Sequence, residues 1–394
     1  MDVVLVNGRV MTERGLEDGL AVRLRGERVM GVGPVEAMSP AARPRDLQGA
    51  LLLPGFIDIQ VNGGGGVLFN DSPSVEAIAQ IGMTHRRFGA TGFLPTLISD
   101  DMDAIGAAIA ATRQAMAEGA PGLLGLHIEG PFLSPRRRGI HQASKLRRMD
   151  EAAFELLTSL AGGRTLLTLA PETTRPEMIE RLAKAGVIVS AGHSNASYST
   201  VRTALDHGLT GFTHLFNAMS PLTSREPGVV GAALEDPSSW CSIIVDGRHV
   251  DPVVLKIALR CKPLDRLILA TDAMPCVGSA EKSFLLQGKP ITVKNGACVD
   301  EHGTLAGSDL DMASAVRNAV RMLDLDLADA SKMASANPAA FLGLGDLMGR
   351  IAPGYRADLV LLDDELQVLD TWIGGHSLAD PEAPDVGAMQ ASGR

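Results

Sequence analysis

The chain has 394 residues, 45% of them hydrophobic, enough for one large α/β core with an accessory domain or for two or three smaller domains. Its 36 basic residues against 46 acidic ones leave a net charge of -10 with no basic stripe. This argues against nucleic acid as the main partner, although one local Arg can still hold a small anion.

The opening fifty residues read as short strands punctuated by glycine turns, at Val3 to Val6, Leu20 to Leu24 and Arg28 to Val32. A β unit this short needs a partner to bury its surface. From about Phe56 a different rhythm begins, in which an apolar strand, a polar loop and a helix-period segment repeat. The expected strands are Phe56–Gln60, Phe93–Ile98, Leu123–Glu129, Leu166–Pro171, Val187–His193, Gly211–Leu215, Ser242–Asp246 and Leu267–Asp272. The expected helices between them include Ser74–Phe88, Asp101–Glu118, Pro176–Ala185, Ser197–His207 and Asp251–Arg260. This pattern predicts a (β/α)₈ TIM barrel, with a doubly wound open sheet as the alternative.

Residues 284–305 read as a β insertion turning at Asn295-Gly296. Helical segments follow at Ser308 to Met322 and Ala328 to Leu342. After Gly349 the strands ADLVLLD and VLDTWIGG can pair with the N-terminal ones. The expected organisation is a small β-sandwich from 1–53 plus 348–376, a barrel over 54–347, and a loose tail over 377–394.

Cys241, Cys261, Cys276 and Cys298 form no C-x-x-C pair and read as reduced, mostly buried thiols. No stretch approaches the ~20 apolar residues of a membrane span, and the N-terminus lacks a signal-peptide pattern. A cytoplasmic protein with no membrane partner is expected.

Catalytic groups in a barrel cluster at the C-terminal strand ends. Here those ends carry Gln60, Glu129, His193, His214, Asp246 and Asp272, in phase with the strands. Glu129, His193 and His214 make a three-ligand set suited to Zn²⁺ or Fe²⁺ with a coordination place left open. Taken singly, a strand-end His serves equally well to tie down a loop. Asp272 is the candidate general base for a water activated by the metal, though taken alone it reads better as a helix N-cap or a salt bridge. His141 is placed to polarise a carbonyl, and it reads equally as a surface His.

The Arg136-Arg137-Arg138 run is expected to be mainly a solvated loop. Gly63 to Gly66 would let backbone N–H groups approach a ligand, including an anion. Asn217 is a candidate for substrate hydroxyls, while Arg225 and His249 are candidates for a phosphate. His85, His207 and His302 read as structural.

Read together, PGFIDIQVNGGGG, GLHIEGPF, GIHQ, LAPE, VSAGHSNA, THLFNAMSP, REPG, DGRHVD, ATDAM, GTLAGS and APGYRADLVLLD occur in order between Pro54 and Asp363. With these motifs the sequence resembles the N-acetylglucosamine-6-phosphate deacetylases of the amidohydrolase superfamily. The resemblance implies the barrel with its two-ended β-sandwich, and Glu129, His193 and His214 as metal ligands. It implies Asp272 as the base that then protonates the leaving amine, and His141 as the carbonyl-polarising group. Asn217 and Ala218 match substrate contacts. Arg225 and His249 match phosphate contacts supplied by a neighbouring subunit, hence a homodimer acting on a phosphorylated amino sugar.

Many members of the wider superfamily carry H-x-H at the end of the first strand, where this chain has Gln60-x-Asn62. Amides are poor substitutes for imidazole at a transition metal. One divalent ion per subunit is therefore expected, zinc first and iron or cobalt as alternatives, with Gln60 and Asn62 joining the substrate-binding candidates. The expected reaction is hydrolysis of N-acetyl-D-glucosamine 6-phosphate to D-glucosamine 6-phosphate and acetate. The galactosamine epimer, another N-acetyl amino sugar, or a non-catalytic scaffold remain as alternatives.

Overall fold

The computed structural model describes residues 2–38 and 42–380. Phe56–Val61, Ala90–Ile98, Gly125–Glu129, Arg164–Leu169, Ile188–Ala191, Leu209–Phe212, Trp240–Ile243 and Leu267–Leu269 form one eight-stranded parallel sheet in chain order. Val61 meets Ala273 in a parallel bridge, which brings the first strand against the end of the last and nearly closes the barrel. These strands are buried on both faces because side chains, several of them polar, fill the barrel and helices cover it.

The covering helices are Val75–Arg86, Met102–Ala117, Glu151–Leu157, Pro176–Lys184, Tyr198–Asp206, Gly228–Glu235, Pro252–Cys261 and Met312–Leu323. Several start where a side chain caps a free N–H: Ser74 accepts from Ala77, Asp150 from Ala153, Ser197 from Thr200 and Asp311 from Ser314.

Two of these helices were not among the segments named from the sequence. Glu151–Leu157 has only two turns. Gly228–Glu235 is a run of small apolar residues buried over most of its length, so it shows no amphipathic period. The single helix expected over 328–342 is instead two, Leu327–Ala334 and Ala336–Phe341. Pro338 has no N–H to donate, so it is accommodated in the first turn of a new helix rather than inside a longer one.

Strands from both ends of the chain share a six-stranded sheet, in which Leu51–Pro54 lies between Arg9–Thr12 and Leu359–Leu362. A four-stranded sheet of Asp2–Val6, Ala21–Arg25, Arg28–Gly33 and Arg43–Asp46 accompanies it. The two-residue period of the strands divides the burial. Leu52, Leu359 and Leu361 join Val3, Leu5, Val22 and Trp372 in the sandwich core, whereas Leu51, Leu53, Val360 and Leu362 belong to the barrel's core. Ser377 is still paired, opposite Trp372; the part of the expected tail from 381 to 394 lies outside the described residues.

The insertion forms an antiparallel sheet of Ser283–Leu286, Lys289–Lys294, Ala297–Val299 and Leu305–Ser308, turning at Asn295-Gly296 with both residues at positive φ. Among the described residues no helix is long and apolar enough to cross a membrane.

Candidate metal centre

At the C-terminal end of the barrel a cavity of about 450 Å³ is lined by Glu129, His141, His193, His214, Asn217, Ala218, His249, Asp272 and Asn62, among others. Glu129 closes the third strand, and His193, His214 and Asp272 lie two or three residues beyond the fifth, sixth and eighth. These last three all adopt positive φ, at 49°, 39° and 54°. Such backbone is strained for non-glycine residues and persists only where its surroundings hold it. Ser242 does so for His214, its hydroxyl accepting the His214 N–H at 2.8 Å. The Ser308 N–H does so for Asp272, donating to its carbonyl at 2.9 Å.

Glu129 Oε1 lies 3.1 Å from His193 Nε2 and 3.0 Å from His214 Nε2, and the two nitrogens are 3.0 Å apart. Among the described residues this is the one group of three such side chains able to hold an ion. His193 Nδ1 faces the Arg137 carbonyl at 3.0 Å, which can only accept, so Nδ1 carries the hydrogen and Nε2 presents a lone pair. A lone pair is thus aimed at a carboxylate oxygen and at a second imidazole nitrogen. One proton cannot bridge all three atoms, whereas a divalent cation fits the donor set. Burial works against the charge on Glu129, but the two imidazoles of His193 and His214 beside it hold its carboxyl well below the usual range. Burial likewise opposes protonation of His214, and Glu129 outweighs it and raises the imidazole.

Asp272 Oδ1 accepts from Asn62 Nδ2 at 2.7 Å and from Gln60 Nε2 at 3.0 Å. Burial and the Glu129 charge raise its carboxyl to about 6, against the pull of His214 and His249. Below it Asp58, fully buried on the first strand, accepts from the Thr271 hydroxyl at 2.5 Å and so clamps the residue before Asp272. His141 is buried beside His193, with ring centroids 4.4 Å apart. The Ser99 N–H points at His141 Nδ1, 3.3 Å away, so Nδ1 is the accepting nitrogen and Nε2–H is left as a donor. Burial pushes His141 down to about 3, and that donor is a neutral imidazole.

Two expectations require correction. The Gly63 to Gly66 loop offers no anion nest: Gly63, Gly65 and Gly66 give their N–H groups to carbonyls of Ala273, Val277 and Pro275. A Cβ at Gly63 would lie 2.3 Å from the Val67 carbonyl oxygen, so close packing is what requires glycine there. His249 was expected from a neighbouring subunit, but it lines the cavity of its own chain. Asp246 holds it there, accepting from Nδ1 at 2.6 Å and from the backbone N–H at 2.8 Å.

Arg225 is not brought to this cavity. It lies exposed in the segment 221–226 and makes no salt bridge among the described residues. The arginine run proves more than a solvated loop, since Arg136 and Arg137 line the cavity, Arg137 bonds Asn195 at 3.0 Å and Arg138 bonds the His141 carbonyl at 2.9 Å. Sequence reasoning also missed Ser99 and the wall formed by Leu68, Ile98, Met274 and Leu286. Ser99 directly follows the second strand, Ala90–Ile98, the same strand-end signal that marked the others. Buried, His85 accepts no ligand role and faces the Gly63 carbonyl at 2.9 Å.

The sequence profile of the amidohydrolase family matches residues 51–379. The chain is 44% identical over 378 residues to the N-acetylgalactosamine-6-phosphate deacetylase of Shewanella sp. (strain ANA-3), covering 95% of each chain. It is 36% identical to the N-acetylglucosamine-6-phosphate deacetylase of Haemophilus influenzae, covering 95% of this chain and 99% of that relative. Among solved structures, N-acetylglucosamine-6-phosphate deacetylase from Pasteurella multocida superposes with a TM-score of 0.93 at 34% identity, over 96% of this chain and 100% of that one.

Proposed function

The chain belongs to the amidohydrolase family, and from that premise we propose that it hydrolyses N-acetyl-D-glucosamine 6-phosphate to D-glucosamine 6-phosphate and acetate. The observation that carries this is the convergence of Glu129, His193 and His214 beside a buried carboxylate, Asp272, in one cavity. Glu129, His193 and His214 would hold one divalent ion, zinc in our reading with iron or cobalt as alternatives. When bound, such an ion supplies Lewis acidity that lowers the pKa of water towards ~7 and polarises a carbonyl.

The chain's own residues do the rest. Asp272 takes the proton of the attacking water and passes it to the amide nitrogen as the C–N bond breaks. The neutral His141 Nε2–H donates to the carbonyl oxygen as negative charge develops on it. Gln60 and Asn62 fix the Asp272 carboxylate by binding Oδ1. Asn217, Ala218 and His249 face the cavity as substrate contacts. Because Gln60-x-Asn62 replaces two imidazoles, a single ion per subunit is expected; metal analysis finding two tightly held ions would sink that part. We further propose a homodimer in which Arg225, exposed on its own subunit, reaches the phosphate in the neighbouring site.

A second reading, the galactosamine epimer, is favoured by the 44% identity to a relative named for that substrate. Acetate release from the two C4 epimers, with added zinc and after chelation, tests both. Faster turnover of the glucosamine compound supports the first reading, the reverse supports the second, and no release from either refutes the deacetylase assignment.

A further inference from the structure

Two amide side chains at the end of the first barrel strand leave their oxygens unclaimed. Gln60 Nε2 donates to Glu129 Oε1 at 3.2 Å and to Asp272 Oδ1 at 3.0 Å, and Asn62 Nδ2 donates to Asp272 Oδ1 at 2.7 Å. A carboxylate can only accept, so both amides must turn nitrogen towards it. Flipping either would set oxygen against oxygen. Gln60 Oε1 and Asn62 Oδ1 are consequently buried with no partner among the described residues. Gln60 borders a small void inside the barrel, but Asn62 borders the active-site cavity. Nor can Asn62 move away. Its N–H donates to the Ala273 carbonyl and its C=O accepts from the Phe69 N–H, both at 2.9 Å.

We infer that Asn62 Oδ1 receives the N–H of the substrate's acetamido group, and so makes the site selective for amides over esters. This rests on the deacetylase reading. Asp272 Oδ1 is taken by two donors, which leaves Oδ2 as the oxygen that carries the proton. The nitrogen receiving that proton must come within hydrogen-bond reach of Oδ2. The N and O of an amide are only ~2.3 Å apart, so Asn62 Oδ1 lies within about 5 Å of Asp272 Oδ1, in the same neighbourhood.

The contact has a chemical consequence. An acetamide nitrogen has one N–H and one lone pair, and the lone pair is freed when the carbonyl carbon becomes tetrahedral. With the N–H held on Asn62, the lone pair is turned towards Asp272. The water oxygen forms the new C–O bond, its proton passes through Asp272 to nitrogen, and the C–N electron pair leaves with the amine. An ester has no N–H and leaves a buried acceptor unpaired, the condition under which a polar site discriminates strongly.

The test is kcat/KM for N-acetyl-D-glucosamine 6-phosphate and for the 2-O-acetyl ester of D-glucose 6-phosphate, in wild type and Asn62→Ala. Losing the Asn62–Asp272 bond slows both substrates alike, so the amide-to-ester ratio is the readout. The ratio is expected to fall about tenfold in the variant. A ratio unchanged within about twofold overturns the inference, as it would if Asn62 only steadied Asp272 or the attacking water. Should Asn62→Ala fail to fold, Asn62→Ser supports the same comparison with a smaller shift, because it retains a shorter acceptor. A wild-type protein that releases acetate from neither substrate refutes the deacetylase reading instead.

Discussion

Asp272 and Asp58 are both carboxyls driven upward by burial, yet they are placed for different work. Asp272 faces the cavity, with Oδ1 tied down and Oδ2 free of donors among the described residues. Asp272→Asn keeps the shape and removes the base, so acetate release should fall by at least ~100-fold. Metal content and melting temperature should stay at wild-type values; normal turnover in that variant would refute the role. Asp58 faces the barrel interior, where burial raises it to about 7 against hydrogen bonds from Thr271 and Gln60. Because its folded pKa lies above its unfolded value, the stability it contributes is complete below about pH 4 and is lost as pH rises through 7. The shift corresponds to about 4 kcal/mol. Asp58→Asn imitates the neutral carboxyl, so its stability relative to wild type should climb between pH 4 and 8 by up to that amount. Denaturant unfolding across that range measures it, and a flat difference would show that Asp58 does not titrate there.

The last strand of the insertion, Leu305–Ser308, is the element that ties an accessory sheet to the backbone of Asp272. The Ser308 hydroxyl donates to the Thr271 carbonyl at 2.5 Å, and its N–H donates to the Asp272 carbonyl. Between them and the cavity lies Gly307, at φ +74°, where a Cβ would stand 2.7 Å from the Asp272 carbonyl oxygen and 2.5 Å from Met274 Cγ. Backbone cannot yield at that separation without moving Asp272. Gly307→Ala should therefore lower both stability, by about 1–3 kcal/mol, and kcat. Thermal melts and steady-state rates read the two effects, and a variant with wild-type kcat would detach the insertion from catalysis.

At the scale of the whole molecule, the described chain lines the cavity, and Arg225 lies exposed outside it. If a second copy delivers Arg225, two damaged subunits can repair each other. Co-expressed Arg225→Ala and Asp272→Asn chains should form mixed dimers in which one site has both an intact Asp272 and an intact Arg225. Activity well above that of either variant alone is expected, together with a dimer mass in sedimentation. No recovery in a demonstrated mixed dimer would place the phosphate contact within one subunit, where Arg136 already borders the cavity.

The sequence by itself determined the barrel, the two-ended sheet and the strand-end positions of Glu129, His193, His214 and Asp272. Those features are carried by local period and by residue type at the end of each apolar run. It could not resolve the short helix Glu151–Leu157, whose two turns are too few to establish a period, or the buried Gly228–Glu235, which shows little contrast between a wet and a dry face. Tertiary structure alone decided how these residues are used. Whether the Gly63 loop binds an anion depends on which carbonyls reach its N–H groups, and Ala273, Val277 and Pro275 come from more than 200 positions away. The orientation of the Gln60 and Asn62 amides depends on Asp272 arriving from the far end of the barrel. Period and composition record what a segment is; the partner that a donor or acceptor meets across the fold is fixed only when the barrel closes.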